Sequence, residues 1–246
     1  MTYILPAINP EKEKKQIVQF IKQTLQKEGF QNVVIGVSGG VDSTTSLYLL
    51  KEAIPLKNIF PVHLYYFNPD LEFEENVYHL SIKSIVDKLA KTLGVQPLKD
   101  SIRLGNIMAR VRMILLYDLA KKHQALVCGT ENRSEYHLGY FTRFGDEASD
   151  FEPIRHLYKT QVYQLASYLG VPKAISDKKP TAGLWAEQTD EGEFGFSYKE
   201  ADPVLYLYFD KKLSLEEIKK KGFKNADKII NFALKSQYKH HTPHSL

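Results

Sequence analysis

The stretch from Val33 to Ser46, VVIGVSGGVDSTTS, holds the residues whose types and spacing best suit chemistry. Val33, Val34, Ile35 and Val37 form a β-branched run that reads as a buried strand. The run breaks at Ser38-Gly39-Gly40, and a helical pattern follows through Leu47, Leu49 and Leu50. Two glycines let the backbone turn tightly, so that consecutive N–H groups can face one anion. A helix starting near Asp42 adds its positive dipole end at the same place. Together these make a phosphate site. Asp42 would repel a phosphate unless a divalent cation lay between them, which points to a polyphosphate with Mg²⁺. The plainer alternative is an ordinary strand-to-helix turn.

A mononucleotide loop of the GxxxxGK[ST] kind and a GxGxxG dinucleotide fingerprint are both missing from this stretch. SGGVDS instead resembles the pyrophosphatase-type loop of enzymes that cleave ATP between its α and β phosphates. With 246 residues and 43% apolar content, the chain suits one α/β domain with a sizeable core. Its net charge of +4 comes from interleaved rather than blocked charges, which fits an enzyme for anionic substrates about as well as a weak nucleic-acid binder. Apolar runs are far too short for a membrane span, the N-terminus lacks a signal-peptide core, and the single Cys128 excludes an internal disulfide or CxxC metal site. These features predict a soluble, cytoplasmic protein.

Positioning elements follow from periodicity and end signals. Asn9-Pro10 opens a helix over 10–28, in which Ile17, Phe20, Ile21 and Leu25 recur at helical spacing up to Gly29. Residues 58–67 read as a second strand, Glu74–Leu93 as a helix carrying Leu80, Ile82, Ile85, Val86 and Leu89, and Val95–Leu98 as a short strand. A helix over 105–123 and a strand at Ala125–Cys128 come next. Residues 131–155 read as loop, 160–169 as a helix ending at Gly170, 176–198 as a long functional loop and the remainder as helical. Strands alternating with helices predict a parallel sheet flanked by helices, with ligands beyond the carboxyl ends of the strands, where Ser38–Gly40 and Gly129-Thr130 both fall.

Five segments in order carry a resemblance: GVSGGVDS (36–43), GNIMARVRM (105–113), VCGTENRSEYHLGYFTRFGDEASDFEPI (127–154), LYKTQVYQLASYLGVP (157–172) and KPTAGLWAEQTDEGEFGFSY (179–198). They resemble the ammonia-dependent NAD synthetases over most of the chain. The resemblance implies one synthetase domain over 1–246, with an adenine nucleotide alpha-hydrolase-like, Rossmann-like core at about 30–172 and a C-terminal loop and helices at 173–246. It also implies a homodimer, Mg²⁺, ATP as co-substrate, and no nucleic-acid or membrane partner. The reaction would be amidation of nicotinate adenine dinucleotide (deamido-NAD) by ammonia through an acyl adenylate, giving NAD⁺, AMP and pyrophosphate. Free ammonia is expected as donor, since glutamine use would require a separate glutaminase.

By the same resemblance, Gly36, Val37, Ser38, Gly39, Gly40, Val41, Asp42, Ser43, Thr130, Lys159 and Thr181 would bind ATP, and Asp42 and Glu135 would hold the metal. Arg110, Arg143, Asp150 and Lys239 would contact deamido-NAD, although the family often has Lys where Arg143 stands. Asp146 is a candidate for attracting or deprotonating ammonium, or a turn cap in its Gly-Asp pair. Arg112, two residues from Arg110 and so on another helix face, reads equally as a substrate contact or a structural ion-pair partner. Cys128 and the aromatic Tyr65, Tyr66 and Phe67 read as core, and His240, His241 and His244 as a frayed tail. The sequence departs from the family at YYFNPDLEFEENVYHL (65–80), and its Tyr238-Lys239-His240 replaces a His-Lys-Arg triplet. The competing readings are another adenylating enzyme with the same loop, and a nucleotide sensor without catalysis.

Overall fold

The computed structural model describes residues 5–67, 76–97, 99–181 and 188–240. Helix α1 (Pro10–Glu28) starts where expected, because the Asn9 side chain accepts a hydrogen bond from Lys12 N at 3.0 Å, and it buries Ile17, Ile21 and Leu25. Strand β1 (Asn32–Gly36) leads through the glycine turn into α2 (Val41–Ala53). Strand β2 (Ile59–Tyr65) follows, then β3 (Tyr78–Ser81), α3 (Lys83–Thr92), α4 (Ser101–His123) and β4 (Ala125–Cys128).

The four strands pair in parallel in the order β3-β2-β1-β4, with Val33 opposite both Ile59 and Leu126, and Val62 opposite Tyr78. Alternate side chains then serve opposite faces. Val33, Ile35, Leu126 and Cys128 pack with α1, α2 and α6 (Lys159–Leu169), whereas Val34, Val62, Leu64 and Val127 pack with α3 and α4. Each fully buried Leu or Ile contributes about 1.5–3 kcal/mol of apolar transfer. Asn32 locks the amino ends of the strands, donating to His123 O at 2.7 Å and accepting from Asn58 Nδ2 at 2.6 Å. Direction reverses at β1, because β2 lies on one side of it and β4 on the other. That reversal opens a crevice at the carboxyl ends of β1 and β4.

Several local readings are corrected. The helix expected over Glu74–Leu93 is split: Tyr78–Ser81 is an edge strand and α3 begins only at Lys83, with Glu74 and Glu75 outside the described residues. The edge of β2 offers unpaired N–H and C=O groups, and the parallel ladder satisfies them more fully than a longer helix would. Val95 is buried in the turn that closes α3, its N–H donating to Ala90 O at 2.8 Å, so it starts no strand; Leu98 lies outside the described residues. The predicted loop 131–155 holds helix α5 (Arg133–Leu138), whose capping box joins Asn132 and Glu135. After α6 and the short α7 (Lys173–Ser176), the predicted loop 176–198 contains α8 (Asp190–Phe194).

The C-terminal segment is helical as expected: α9 (Tyr198–Leu205), a π turn (Tyr206–Asp210), α10 (Leu215–Lys220) and α11 (Ala226–Lys235). These elements share an apolar cluster that includes Leu138 of α5 and Tyr158 at the cap of α6. Among the described residues, no helix is long and apolar enough to cross a membrane.

Two helix-ending glycines separate backbone strain from crowding. Gly139, after α5, has φ +61° and a Cβ there would lie 2.3 Å from Ser236 Cβ, whereas Gly170, after α6, has φ +78° with open space around it. Gly170→Ala is expected to lose about 1–2 kcal/mol from the left-handed conformation alone. Gly139→Ala adds an overpacking loss of about 1–3 kcal/mol, so its urea midpoint should fall well below that of Gly170→Ala.

Candidate active site

A cavity of about 520 Å³ lies over the carboxyl ends of β1, β2 and β4. Its floor is the glycine turn. Gly39 sits at φ +77°, and α2 begins at Val41 with Gly40 at its N-cap, so no side chain caps it and its first amides are directed at the turn. Ser38 Oγ and Ser43 Oγ lie 3.1 Å apart, Ser38 N donates to Ser43 Oγ at 3.2 Å, and Gly40 N donates to Ser38 Oγ at 3.3 Å. The two hydroxyls thus take up the Ser38 and Gly40 amides and hold the turn in a fixed shape at the uncapped, positive end of α2, which suits an anion.

Beside the turn, three charged groups from distant parts of the chain meet. Lys159 Nζ donates to Asp42 Oδ2 at 2.5 Å and to Glu135 Oε1 at 3.1 Å. The side chains are 3%, 15% and 18% exposed for Lys159, Asp42 and Glu135. Burial works against the charge on Lys159, but Asp42 and then Glu135 outweigh it and hold its pKa above the usual lysine range. Burial pushes the Glu135 carboxyl pKa upward, against the opposing pull of Lys159. One ammonium therefore faces two carboxyl groups, and burial disfavours the charged form of Glu135. Asp190, at the start of α8, adds a third buried acid to the same electrostatic field, and its Oδ2 accepts from Tyr198 OH at 3.0 Å.

The loops are tied to one another by Asn132. Its Oδ1 accepts from Glu135 N at 3.0 Å, and its Nδ2 donates to Asp42 Oδ1 at 3.0 Å. A single helix cap thereby fixes the distance between the two carboxylates. Thr130, Thr181 and Asp146 also line the cavity, as does the whole of Gly36–Ser43. Asp146 is the turn cap that its Gly-Asp pair suggests, with Oδ1 accepting from Thr142 N at 2.7 Å, and the residue also lines the cavity. Enclosure by protein on its other sides raises its pKa, opposed by the Thr142 amide and the charges of Arg112 and Lys239.

The proposed deamido-NAD contacts lie elsewhere. Arg110 donates to Arg143 O at 3.2 Å, and the Arg143 guanidinium packs against the rings of Phe144 and Tyr238. Lys239 Nζ donates to Gly139 O and Phe141 O at 2.7 and 2.8 Å. Asp150 Oδ2 accepts from Val127 N at 2.7 Å, which makes it a cap for β4. None of these four lines the cavity, although Arg110, Arg143 and Lys239 gather around the 139–145 turn.

Other readings change. Tyr65, Tyr66 and Phe67 line the cavity; of the three, Tyr66 also packs against the apolar cluster as expected, whereas Phe67 is 52% exposed. Arg112 also faces the cavity, with Nε donating to Leu64 O at 3.0 Å. His240 is not frayed: Nε2 lies 2.7 Å from Tyr136 O and the ring packs on Tyr136 and Phe141, while His241 and His244 fall outside the described residues. Cys128 is buried as expected. Asn132 and Asp190 were missed by sequence reasoning; the N-x-x-E spacing of Asn132 and Glu135 is the one local signal that reveals the former.

The comparisons agree with this geometry. Residues 13–243 match the NAD synthase family. An NH(3)-dependent NAD(+) synthetase of Thermococcus kodakarensis is 46% identical over 211 residues, covering 82% of each chain. One of Fusobacterium nucleatum is 37% identical over 246 residues, covering 96% of this chain and 95% of that one. Among solved structures, an NH3-dependent NAD synthetase from Campylobacter jejuni in complex with nitrate superposes with a TM-score of 0.79 at 29% identity, covering 97% of this chain and all of that one. An NMN synthetase from Francisella tularensis has the same TM-score at 28% identity, covering 97% and 99%. Matched along nearly its whole length, and with the glycine turn facing a paired-carboxylate cluster, this chain belongs to the NAD synthase family.

Proposed function

We propose that this chain forms a C–N bond, amidating deamido-NAD with ammonia at the expense of ATP. The observation that carries the reading is the Lys159 bridge between Asp42 and Glu135 beside the glycine turn, in a chain of the NAD synthase family. A carboxylate resists attack by ammonia because its leaving group would be oxide. In the first step the nicotinate carboxylate oxygen attacks the α phosphorus of ATP, the bond to the bridging α–β oxygen breaks, and pyrophosphate leaves. Ammonia then attacks the acyl carbon, AMP departs, and the nitrogen loses a proton. No enzyme nucleophile is required, so positioning and charge neutralisation supply the catalysis.

Mg²⁺ fits the donor set, since two hard carboxyl groups stand side by side at the glycine turn, and a cation there would favour the charged form of Glu135 that burial disfavours. Among the described residues no three acids, histidines or cysteines are arranged to hold a metal, so the ion would need phosphate oxygens and water as further ligands. Asp42 and Glu135 would hold the ion, which when bound offsets the charge of the polyphosphate. The amides of Ser38–Gly40 and the hydroxyl of Ser43 cradle phosphate, Lys159 pairs with the same anion, and Thr130 and Thr181 complete ATP binding. Asp146 takes the proton from the attacking nitrogen, and Arg110, Arg143, Asp150 and Lys239 face deamido-NAD. The family resemblance further supports one synthetase domain over 1–246, acting as a cytoplasmic homodimer on small molecules, with no nucleic-acid or membrane partner.

Purified protein supplied with ATP, Mg²⁺, ammonium and either deamido-NAD or nicotinate mononucleotide tests the reading by product analysis. Equal amounts of NAD⁺ and AMP from deamido-NAD are expected. Preference for the mononucleotide would overturn the substrate assignment, and ATP binding without AMP would favour a sensor. Asp42→Asn should lower kcat/KM by at least ~100-fold, beyond the 10–100-fold typical of outer partners of a metal site. Glu135→Gln should shift the Mg²⁺ dependence to higher concentration; an unaltered titration would remove Glu135 from the metal site. Arg110→Ala should raise the KM of deamido-NAD more than that of ATP, and equal effects would make Arg110 structural.

A further inference from the structure

Asp202 lies on α9, far from the glycine turn in sequence, and is wholly buried. Its Oδ1 accepts from Ser134 Oγ at 2.5 Å, and its Oδ2 accepts from Thr160 N at 2.8 Å and Thr160 Oγ1 at 2.7 Å. Ser134 Oγ in turn accepts from Lys159 N at 2.8 Å. Four hydrogen bonds therefore converge on one carboxylate and one hydroxyl. They join the residue before Glu135 to Lys159 and to the residue after it.

The need for such a tie follows from the elements. Helix α5 has six residues, too few to hold its own shape, and Lys159 is the first residue of α6. Neither segment by itself fixes Glu135 relative to Lys159. An anionic oxygen at the first turn of α6 also meets the positive end of that helix and one of its unpaired amides. Tyr198, four residues earlier on α9, stands with its ring 5.2 Å from Lys159 Nζ, so the same helix face braces the ammonium directly.

We propose that Asp202 is a positioning residue for the reaction, holding Glu135 and Lys159 in the register that receives Mg·ATP. The proposal rests on the reading that Asp42 and Glu135 hold the metal. The alternative is a purely structural buried cap. The two differ in what a conservative change does. Asp202→Asn keeps shape and the two bonds from Thr160, but its amide presents a donor to Ser134 Oγ, whose own O–H then has no acceptor.

The experiment compares the full-length protein with Asp202→Asn, Glu135→Gln, Thr160→Val and Thr160→Ser. Melting temperature, calorimetric Mg·ATP affinity without deamido-NAD, and steady-state constants are measured for each. Asp202→Asn is expected to fold, to lose ~10–100-fold in Mg·ATP affinity and kcat combined, and to leave the KM of deamido-NAD unchanged. Thr160→Val should move in the same direction and Thr160→Ser should restore parental values; this pair decides the matter if Asp202→Asn does not fold. Parental Mg·ATP affinity and kcat in folded Asp202→Asn, with Glu135→Gln impaired, would overturn the proposal alone. A lowered melting temperature with every constant falling together would also overturn it. Parental Mg·ATP affinity in Glu135→Gln would overturn the metal reading, and this inference with it.

Discussion

A lysine side chain with 3% exposure between two largely enclosed carboxylates is a costly thing to build. Taking each ion out of water costs several kcal/mol, and a buried ion pair adds little net stability compared with an apolar substitute. Losing one member is worse, because it leaves the others unbalanced, at about 3–5 kcal/mol. The Asp42–Lys159–Glu135 bridge therefore constrains the molecule more than it stabilises it. Residues 42, 135 and 159 belong to α2, α5 and α6, so three helix starts must converge on one point. A parallel sheet whose direction reverses at β1 brings the first two together, since β1 and β4 are neighbours and their carboxyl ends lie side by side.

The third comes from outside the sheet. The chain after β4 runs beside its own strand end, where Gly129 N donates to Phe151 O at 2.8 Å, and reaches α6 through Leu157 and Tyr158. Tyr158 belongs to the C-terminal apolar cluster, and its hydroxyl donates to Asp210 Oδ2 at 2.9 Å on the π turn. Arg133, the first residue of α5, reaches the same carboxylate. The extra residue per turn of a π segment redirects a side chain, and here it directs Asp210 at both helix starts. The sheet thus sets the phosphate turn, whereas the C-terminal helices set the groups that face it.

This division explains what was legible in the sequence. The turn itself was legible because glycines, an uncapped helix start and β-branched runs are local signals. Helices α1 and α6 were equally plain from their ends. Strand β3 was hidden: its Tyr78 is 56% exposed and pairing with β2 is a long-range event, so the apolar residues of Leu80–Leu89 read as one helix. Exposure of Ile85 and Leu89 on α3 shows that this apolar run also overstated what the helix buries. Asp202 gives no sequence signal at all, because an acid in a helix reads as solvated until a fold places two other helix starts against it. Phe67 misled for the opposite reason: aromatic residues of a strand pack in cores, as Tyr66 does in part, except where the strand end opens on a cavity.

Charge and hydrogen-bond polarity also show how the protein can dispense with a nucleophile of its own. Cys128 is buried and its thiol pKa is pushed well above the usual range by burial, so no thiolate is available beneath the site. Ser38 and Ser43, the hydroxyls closest to the phosphate cradle, are engaged with each other and with backbone, Ser43 Oγ donating to Gly40 O at 3.2 Å. Their bonds shape the loop, and no neighbouring histidine partners either of them in these contacts. What lines the cavity instead is a turn held by its own hydroxyls and a lysine bridged to two carboxyl groups, the arrangement on which the proposed phosphate binding rests. Donors already oriented before the reaction need no rearrangement when charge shifts toward the departing pyrophosphate. The hydroxyls that a hydrolase would spend on attack are used here to hold the Ser38 and Gly40 amides still.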